Sequence, residues 1–344
     1  MRIFNHSGTP RLIGPAHVVC LTAEFIFGDA CCLIHLSNDT VQVYLLVEDG
    51  QHRLLGEIND CDAFATYQCG EKETLLVGVI GQTLKAYRLI FTGTSLNIIF
   101  ILAISLPETI SYAASDAHVV AVASPKNLYL YSTHAILNGV VPRPIIVGLN
   151  EHTITDVVLN RDRPGELLTA NENSELVFID ATLPEQQLRE GMGMDEAESL
   201  FLFGSAYPFS LGSIAYATSM LVLSTGSMGL VLVDPEDGSI VRQIMDCSTL
   251  AKGYSKILTV QAGQDPIVTC TRDCGDVSIF RYVRDGVKER LERLCFFPAM
   301  RLVSNPSSDE VITIPRVALL SPTGKQGLVL NMSGYLQLYT LATE

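Results

Sequence analysis

The stretch Leu128-Tyr-Leu130-Tyr131 decides how this chain is to be read, because the chain repeats it. Its counterparts are Val41-Gln-Val43-Tyr44, Leu84-Lys-Ala86-Tyr87, Leu176-Val-Phe178-Ile179, Leu230-Val-Leu232-Val233, Val277-Ser-Ile279-Phe280 and Leu336-Gln-Leu338-Tyr339. Each ends on an aromatic or β-branched residue and follows an apolar stretch and a short polar or glycine-containing turn. Alternation of this kind points successive side chains to opposite faces of a sheet. From Val41 to Leu336 the copies recur about every 49 residues, and repetition at such a period marks a repeat architecture.

Reading outward from each copy gives up to four strands per repeat. In the first repeat His17–Phe25 reads as strand A, Ala30–Leu36 as B, Val41–Val47 as C and His52–Ile58 as D. The B–C turn, Ser37-Asn-Asp-Thr40, carries the residues that tolerate positive φ and bond locally. The B strands Val119-Val-Ala-Val-Ala123, Leu221-Val-Leu223 and Ile267-Val268 are apolar almost throughout, as in strands buried on both faces. The repeats span about 16–58, 62–102, 109–147, 153–203, 208–245, 255–297 and 311–344. The seventh runs out after its C strand, at Thr340-Leu-Ala-Thr-Glu344, so an apolar piece within 1–15 (Arg2-Ile-Phe4 or Arg11-Leu-Ile13) is expected to supply its fourth strand. Such pairing would remove an exposed edge. Two segments break the period. Residues 183–200 are acidic, glycine-containing and Met-rich and read as a mobile surface loop. Short helices are expected at Thr133–Leu137 and Gly286–Leu294.

The copies resemble degenerate WD repeats. That family closes its C strand on an apolar pair, a Trp and an Asp. Here Tyr44, Tyr87, Tyr131, Ile179, Val233, Phe280 and Tyr339 hold the Trp position, and the Asp survives as Asp180 and Asp234. Glu151-His152 approximates the family's Gly-His pair, and Asn38-Asp39, Cys274-Gly275 and Ser333-Gly334 its Asp-Gly turn. The fourth repeat matches best, through His152-Thr-Ile-Thr-Asp156, Leu167-Leu-Thr-Ala170 and Leu176-Val-Phe-Ile-Asp180. The resemblance implies an all-β, seven-bladed β-propeller of four-stranded blades, one domain over 1–344, its ring closed by the N-terminal strand. It gives Tyr44, Tyr87, Tyr131, Phe280 and Tyr339 a buried place between blades, and Asp180, Asp234 and His152 structural roles.

Composition narrows the function. The net charge of −14 repels nucleic-acid phosphates and anionic membranes. The longest apolar run, Ile98–Leu106, is far too short to span a bilayer, and the N-terminus carries no signal-peptide run. A cytoplasmic or nuclear chain is expected, with its nine cysteines as free, mostly buried thiols.

The motifs of chemistry are missing: no Gly-x-Ser-x-Gly, no phosphate loop, no Gly-x-Gly-x-x-Gly, no His-Glu-x-x-His. Gly226-Ser-Met-Gly229 reads as a hairpin turn. Cys31-Cys32 and Cys270-x-x-x-Cys274 have no second ligand pair for a zinc site. His17 and His152 sit where a blade-bracing histidine would stand. Asp62 and Asp156, near the starts of A strands, read as turn carboxylates, the alternative being a calcium-binding channel. Lys288, Arg290 and Arg293 alternate with Glu289 and Glu292 as a solvated face. No cofactor or metal is expected. The reading is a non-catalytic protein–protein interaction scaffold, a WD-repeat-like subunit of a larger intracellular complex. Met192, Met194, Asp195, Glu196 and Glu198 are the candidate contacts for a protein partner. A propeller hydrolase or lactonase, and an RNA-processing or ribosome-biogenesis propeller, are the alternatives.

Overall fold

Each of the seven alternating stretches is the third strand of a four-stranded sheet. In strand order A to D the sheets are Cys20–Ile26, Cys31–Leu36, Thr40–Leu46 and His52–Ile58; Ala63–Gly70, Glu73–Ile80, Thr83–Phe91 and Leu96–Ser105; Tyr112–Ser115, Val119–Ala123, Asn127–Ser132 and Ile145–Gly148; Ile154–Leu159, Glu166–Asn171, Glu175–Asp180 and Phe201–Ala206. Then come Ile214–Ala217, Met220–Ser224, Leu230–Val233 and Ile240–Ile244; Ile257–Ala262, Ile267–Arg272, Val277–Asp285 and Lys288–Phe297; and Pro315–Leu320, Gln326–Asn331, Tyr335–Leu341 and Phe4–Leu12. These are the blades of a seven-bladed β-propeller. The computed structural model describes all residues except 1–3, 13–17, 48–50, 150–152, 161, 218–219, 226–228, 245–256, 263–266, 273–276, 286–287, 298–300, 303–310, 313–314, 332–333 and 342–344. In the seventh blade Phe4–Leu12 runs antiparallel to the C strand, with Phe4 opposite Leu341 and Leu12 opposite Tyr335.

Turn chemistry explains where the hairpins fold back. The B–C turns carry positive φ at Asp39 (59°), Gly81 (55°), Ser174 (63°) and Gly334 (81°). Blades 4 and 7 build theirs alike. Asn171 Oδ1 accepts from the Glu175 amide at 3.1 Å, and Asn331 Oδ1 from the Tyr335 amide at 2.8 Å. An asparagine that bonds its own turn competes successfully with a continued strand.

The repeat reaches the fourth strand in a way the amino-acid pattern does not announce. The C–D register breaks between Ala86 and Tyr87, Phe178 and Ile179, Leu232 and Val233, and Ile279 and Phe280. In each case strand D holds one extra residue: Ile101, Leu202, Val241 or Leu294. A bulge at the same station in four blades adds local twist to an edge strand.

The chain divides into two compact units. Unit 2, Ile58–Ser210 with Glu236–Gly238, holds blades 2 to 4. Strand B of blade 3 feeds two cores: Val120 and Val122 meet Leu75, Val77 and Val79 of blade 2, while Val119, Ala121 and Ala123 meet Val157, Leu167 and Ile179 of blade 4. That is the two-faced burial its unbroken apolar run predicts. Unit 1, Met1–Glu57, Leu211–Pro235 and Ser239–Glu344, packs blade 1 on blade 7, 5 on 6 and 6 on 7. In the last of these, Tyr339 stacks on Phe297 with centroids 4.7 Å apart. Gly327, paired with Tyr339, is required there, since a Cβ on it would run into the Phe297 ring.

Tyr44, Tyr131, Phe280 and Tyr339 are buried. Tyr87 is only partly so, against expectation: the ring beside it, edge-on at 5.7 Å, is Phe100, itself 56% exposed. Helix α1 spans Thr133–Leu137, as expected, with Ser132 Oγ accepting from the Ala135 amide at 2.9 Å. The helix expected over Gly286–Leu294 is a correction. Lys288–Phe297 is strand D of blade 6, and Arg290 reaches Glu292 at 2.5 Å, an i,i+2 pairing that suits a strand's period of two.

Candidate functional site

The acidic segment between strands C and D of blade 4 is not the loop its composition suggests. It folds as α2 (Glu185–Glu190), α3 (Met194–Ala197) and a 3₁₀ turn over Glu198–Leu200. The chain leaves strand C at Asp180, whose Oδ1 accepts from the Thr182 amide at 2.9 Å and from the Thr182 hydroxyl. Pro184 then starts α2 with its fixed φ, and its carbonyl accepts from Gln187 and Leu188 amides. Gly191, at φ +75°, ends α2 where a Cβ would stand 2.9 Å from Arg143 Cβ. Glu196 Oε2 accepts from the Gly193 amide at 3.3 Å as α3 begins.

These pieces are too short to be stable alone, and tertiary packing holds them. Leu188, Ala197 and Leu200 are buried in the core shared by blades 3 and 4, together with Ile145 and Val147 of blade 3's strand D. The Arg143 amide donates to the Arg189 carbonyl at 3.1 Å. Ser132 Oγ donates to Glu185 Oε1 at 2.5 Å, and exposed His134 faces the same carboxylate at 3.6 Å.

A buried pin fixes the start of the insertion. Asp116, in the A–B turn of blade 3, accepts at Oδ1 from the His118 and Val119 amides, both at 2.7 Å. Its Oδ2 accepts from the Gly165 amide in the A–B turn of blade 4 at 2.8 Å. Gly165 has φ +95°, and a Cβ there would meet the His118 ring, the Ala181 carbonyl and Thr182, each at 3.1 Å. His118 Nε2 donates to the Leu183 carbonyl at 2.7 Å, one residue before Pro184. None of these residues stood out in the sequence. The signal available was Asp116-Ala-His118 between two strand patterns, a turn-forming Asp that bonds the amides two and three residues on.

Of the five expected contact residues, Glu196 and Glu198 are exposed. Met192 turns inward and packs, partly buried, on the blade 3–4 core. Met194 and Asp195 lie in α3, with side chains outside the described residues. The 3₁₀ turn delivers Phe201 and Leu202, 47% and 54% exposed, at the head of strand D. Strand D is the outermost strand of the blade 4 sheet; its far half is covered by the 236–238 turn, where the Ser205 hydroxyl donates to the Gly238 carbonyl at 3.3 Å, and Phe201 and Leu202 lie at the other end. Asp234 is partly buried, and His17, His152 and Cys274 lie outside the described residues.

Among the described residues no three His, Cys, Asp or Glu side chains converge as for a metal ion. Burial pushes the thiols of Cys20 and Cys31 up to about 11 and about 12, away from nucleophilic chemistry. Asp62 Oδ2 accepts from the Gly81 amide at 3.1 Å. Asp156, partly buried, accepts from its neighbour's amide, Val157, and desolvation raises its carboxyl to about 6. Among the described residues no helix is long and apolar enough to cross a membrane.

No protein-family description matches the chain, and neither does any curated protein sequence. Solved structures do match. The WD40 repeats of RRP9 superpose with a TM-score of 0.63 at 9% identity, covering 99% of this chain and 100% of that one. The WD40 β-propeller domain of Doa1 gives 0.59 at 11%, covering 98% and 97%. The fold is that of the WD40 β-propellers. Chaetomium thermophilum Raptor gives a TM-score of 0.70 at 10% identity over 100% of this chain, which spans 30% of the Raptor chain. At such identities the likeness is one of fold.

Proposed function

We propose that this propeller is a non-catalytic interaction scaffold, a subunit of a larger intracellular assembly, and that its partner is a protein. One observation carries the reading. The chain's longest described departure from the repeat is folded, pinned through Asp116 and His118, and spends its buried residues on the blades while leaving Glu196, Glu198, Phe201 and Leu202 outward. A rigid scaffold carrying a fixed, chemically mixed surface is how such folds bind. The WD40 likeness supports a scaffold role, and among the described residues the buried thiols of Cys20, Cys31, Cys32 and Cys270 stand outside any disulfide, which suits a reducing compartment.

Affinity purification of the tagged chain from its native cell, followed by mass spectrometry, tests the reading. Stoichiometric protein partners are expected. A chain recovered alone, with turnover in a hydrolase substrate screen, would replace the scaffold with a propeller enzyme.

A further inference from the structure

The D strands of the other blades show how this protein protects its sheet edges. His52–Ile58 carries Arg53 and Glu57, Ile240–Ile244 carries Arg242, and Lys288–Phe297 carries five charged residues in its first six. Ile145–Gly148 is only four residues long and lies under α3 and the 3₁₀ turn. Charge, shortness and cover are the usual devices against unwanted pairing. Phe201–Ala206, Phe-Leu-Phe-Gly-Ser-Ala, has neither charge nor proline. Its extra residue, Leu202, is the bulged one, and it is the more exposed of the strand's two exposed large apolar side chains, Phe203 being partly buried.

One other described edge, Leu96–Ser105, is equally uncharged. The charges on the strand beside it are already matched: Arg88 with Glu73 and Lys85 with Asp60, both at 3.1 Å. The blade 4 edge differs in its surroundings. The segment 181–200 carries Glu185, Glu190, Asp195, Glu196 and Glu198 against a lone Arg189. Among the described residues none of Glu185, Glu190, Glu196 and Glu198 pairs with a lysine or arginine. The uncovered end of an uncharged edge strand, with two protruding apolar side chains, thus follows directly on a segment whose carboxylates outnumber its cations five to one.

We propose that Phe201 and Leu202, with Glu196 and Glu198 on the helical turns that lead into them, dock a protein segment in which large apolar side chains alternate with lysine or arginine. This deepens the scaffold reading and rests on it. Phosphate-bearing ligands fit badly, because nucleic acid and anionic membrane would meet the same carboxylates. A second copy fits badly too, because a two-fold contact through this patch would set like charge against like charge. An apolar, basic segment satisfies both halves of the surface, and its charge would speed encounter as well as strengthen binding.

The test pans a phage-displayed random dodecapeptide library on the immobilised full chain. Enriched peptides are resynthesised and titrated by fluorescence anisotropy against wild type, the double variant Phe201→Ser/Leu202→Ser, and Glu196→Gln/Glu198→Gln. Peptides mixing large apolar residues with Lys or Arg are expected. Affinity should fall at least about tenfold in the serine variant. It should fall about threefold or more in the glutamine variant, with that loss fading at high salt. The glutamine variant leaves the apolar side chains in place, so it remains informative if the serine variant folds poorly. The proposal is overturned by no enrichment, by acidic or uncharged winners, by binding that survives both variants, or by a wild-type dimer that the serine variant dissolves. If native partners are recovered equally by wild type and variants, the scaffold reading stands and this surface is wrong. If none is recovered by any of them, the scaffold reading itself fails.

Discussion

Replacing Asp116 by alanine removes three hydrogen bonds with one side chain. Its carboxylate takes the amides of His118, Val119 and Gly165 at 2.7, 2.7 and 2.8 Å, and the residue is buried. Bonds to an ionised acceptor are each worth about 1.5–3 kcal/mol, and a buried donor left without a partner costs about 1–3 kcal/mol. The contributions do not add fully, since water can reach the partly exposed His118 amide. Asp116→Ala should therefore cost about 3–5 kcal/mol. Asp116→Asn is the sharper variant. One oxygen survives to serve the His118 and Val119 amides, while the new amide nitrogen faces the Gly165 N–H donor to donor. It should cost about 1–3 kcal/mol, less than alanine. The chain has no Trp, so urea unfolding is best followed by far-ultraviolet circular dichroism. Amide hydrogen exchange adds a local readout: Gly165 should lose protection in both variants, by more than the global change in Asn. An alanine variant within about 0.5 kcal/mol of wild type would refute the pin, because that is surface-substitution behaviour. So would a Gly165 amide that exchanges as before.

Three further outcomes follow from the packing. Tyr131→Ala should cost about 3–5 kcal/mol in the same urea assay, because the ring is 1% exposed between blades 2 and 3. Tyr87→Ala, at the equivalent station but only partly covered, should cost clearly less, and equal losses would contradict the burial described. Asp156→Asn should stabilise the protein at pH 7.5: the carboxyl is raised from 3.8 to about 6, so its ionised form is penalised when folded by at most about 3 kcal/mol. That penalty is absent below pH 3.8 and fully present above about 6, so the gain should vanish as pH falls through this window. A gain that persists at pH 3.5 would point to another cause. Deleting residues 1–15 strips the strand paired with Tyr335–Leu341 and should lower Tm by about 5 °C or more in calorimetry, whereas an unchanged Tm would deny that strand a part in holding the blades together.

The sequence disclosed the sheets far better than it disclosed the surface. Strands B and C were legible because each blade buries them, so burial writes an apolar or alternating pattern into residues such as Val119–Ala123 and Leu336–Tyr339. Strand D was harder. It is an edge whose bulge costs one residue of register, so Leu202 and Leu294 look like ordinary pattern breaks. Lys288–Phe297 mixes charge and apolar residues at both periods, and its pairing with Val277–Asp285 settles the choice. The insertion reads as a mobile loop in sequence because α2 and α3 have six and four residues, too few for a helical period to show. The Asp116 pin left no trace beyond a turn-like Asp, since its third partner, Gly165, lies 49 residues away.

Why this insertion is folded bears on how it would bind. A mobile acidic loop must be ordered by its partner, and each immobilised side chain costs about 0.5–1.5 kcal/mol of the contact. Here that ordering is met beforehand, by Leu188, Ala197 and Leu200 in the blade 3–4 core and by the His118–Leu183 bond. Glu196 and Glu198 are then presented from a short helical run instead of a wandering chain, and Phe201 and Leu202 from a strand already bonded on its other side. The same packing that draws Met192 partly inward limits it as an adaptable contact, while Phe201 and Leu202 of the edge stand exposed as anchors. Adaptability is thereby exchanged for pre-organisation. A surface built this way should discriminate sharply between apolar–basic and other segments, because a mismatched partner cannot be accommodated by rearranging the insertion without unpacking the core beneath it.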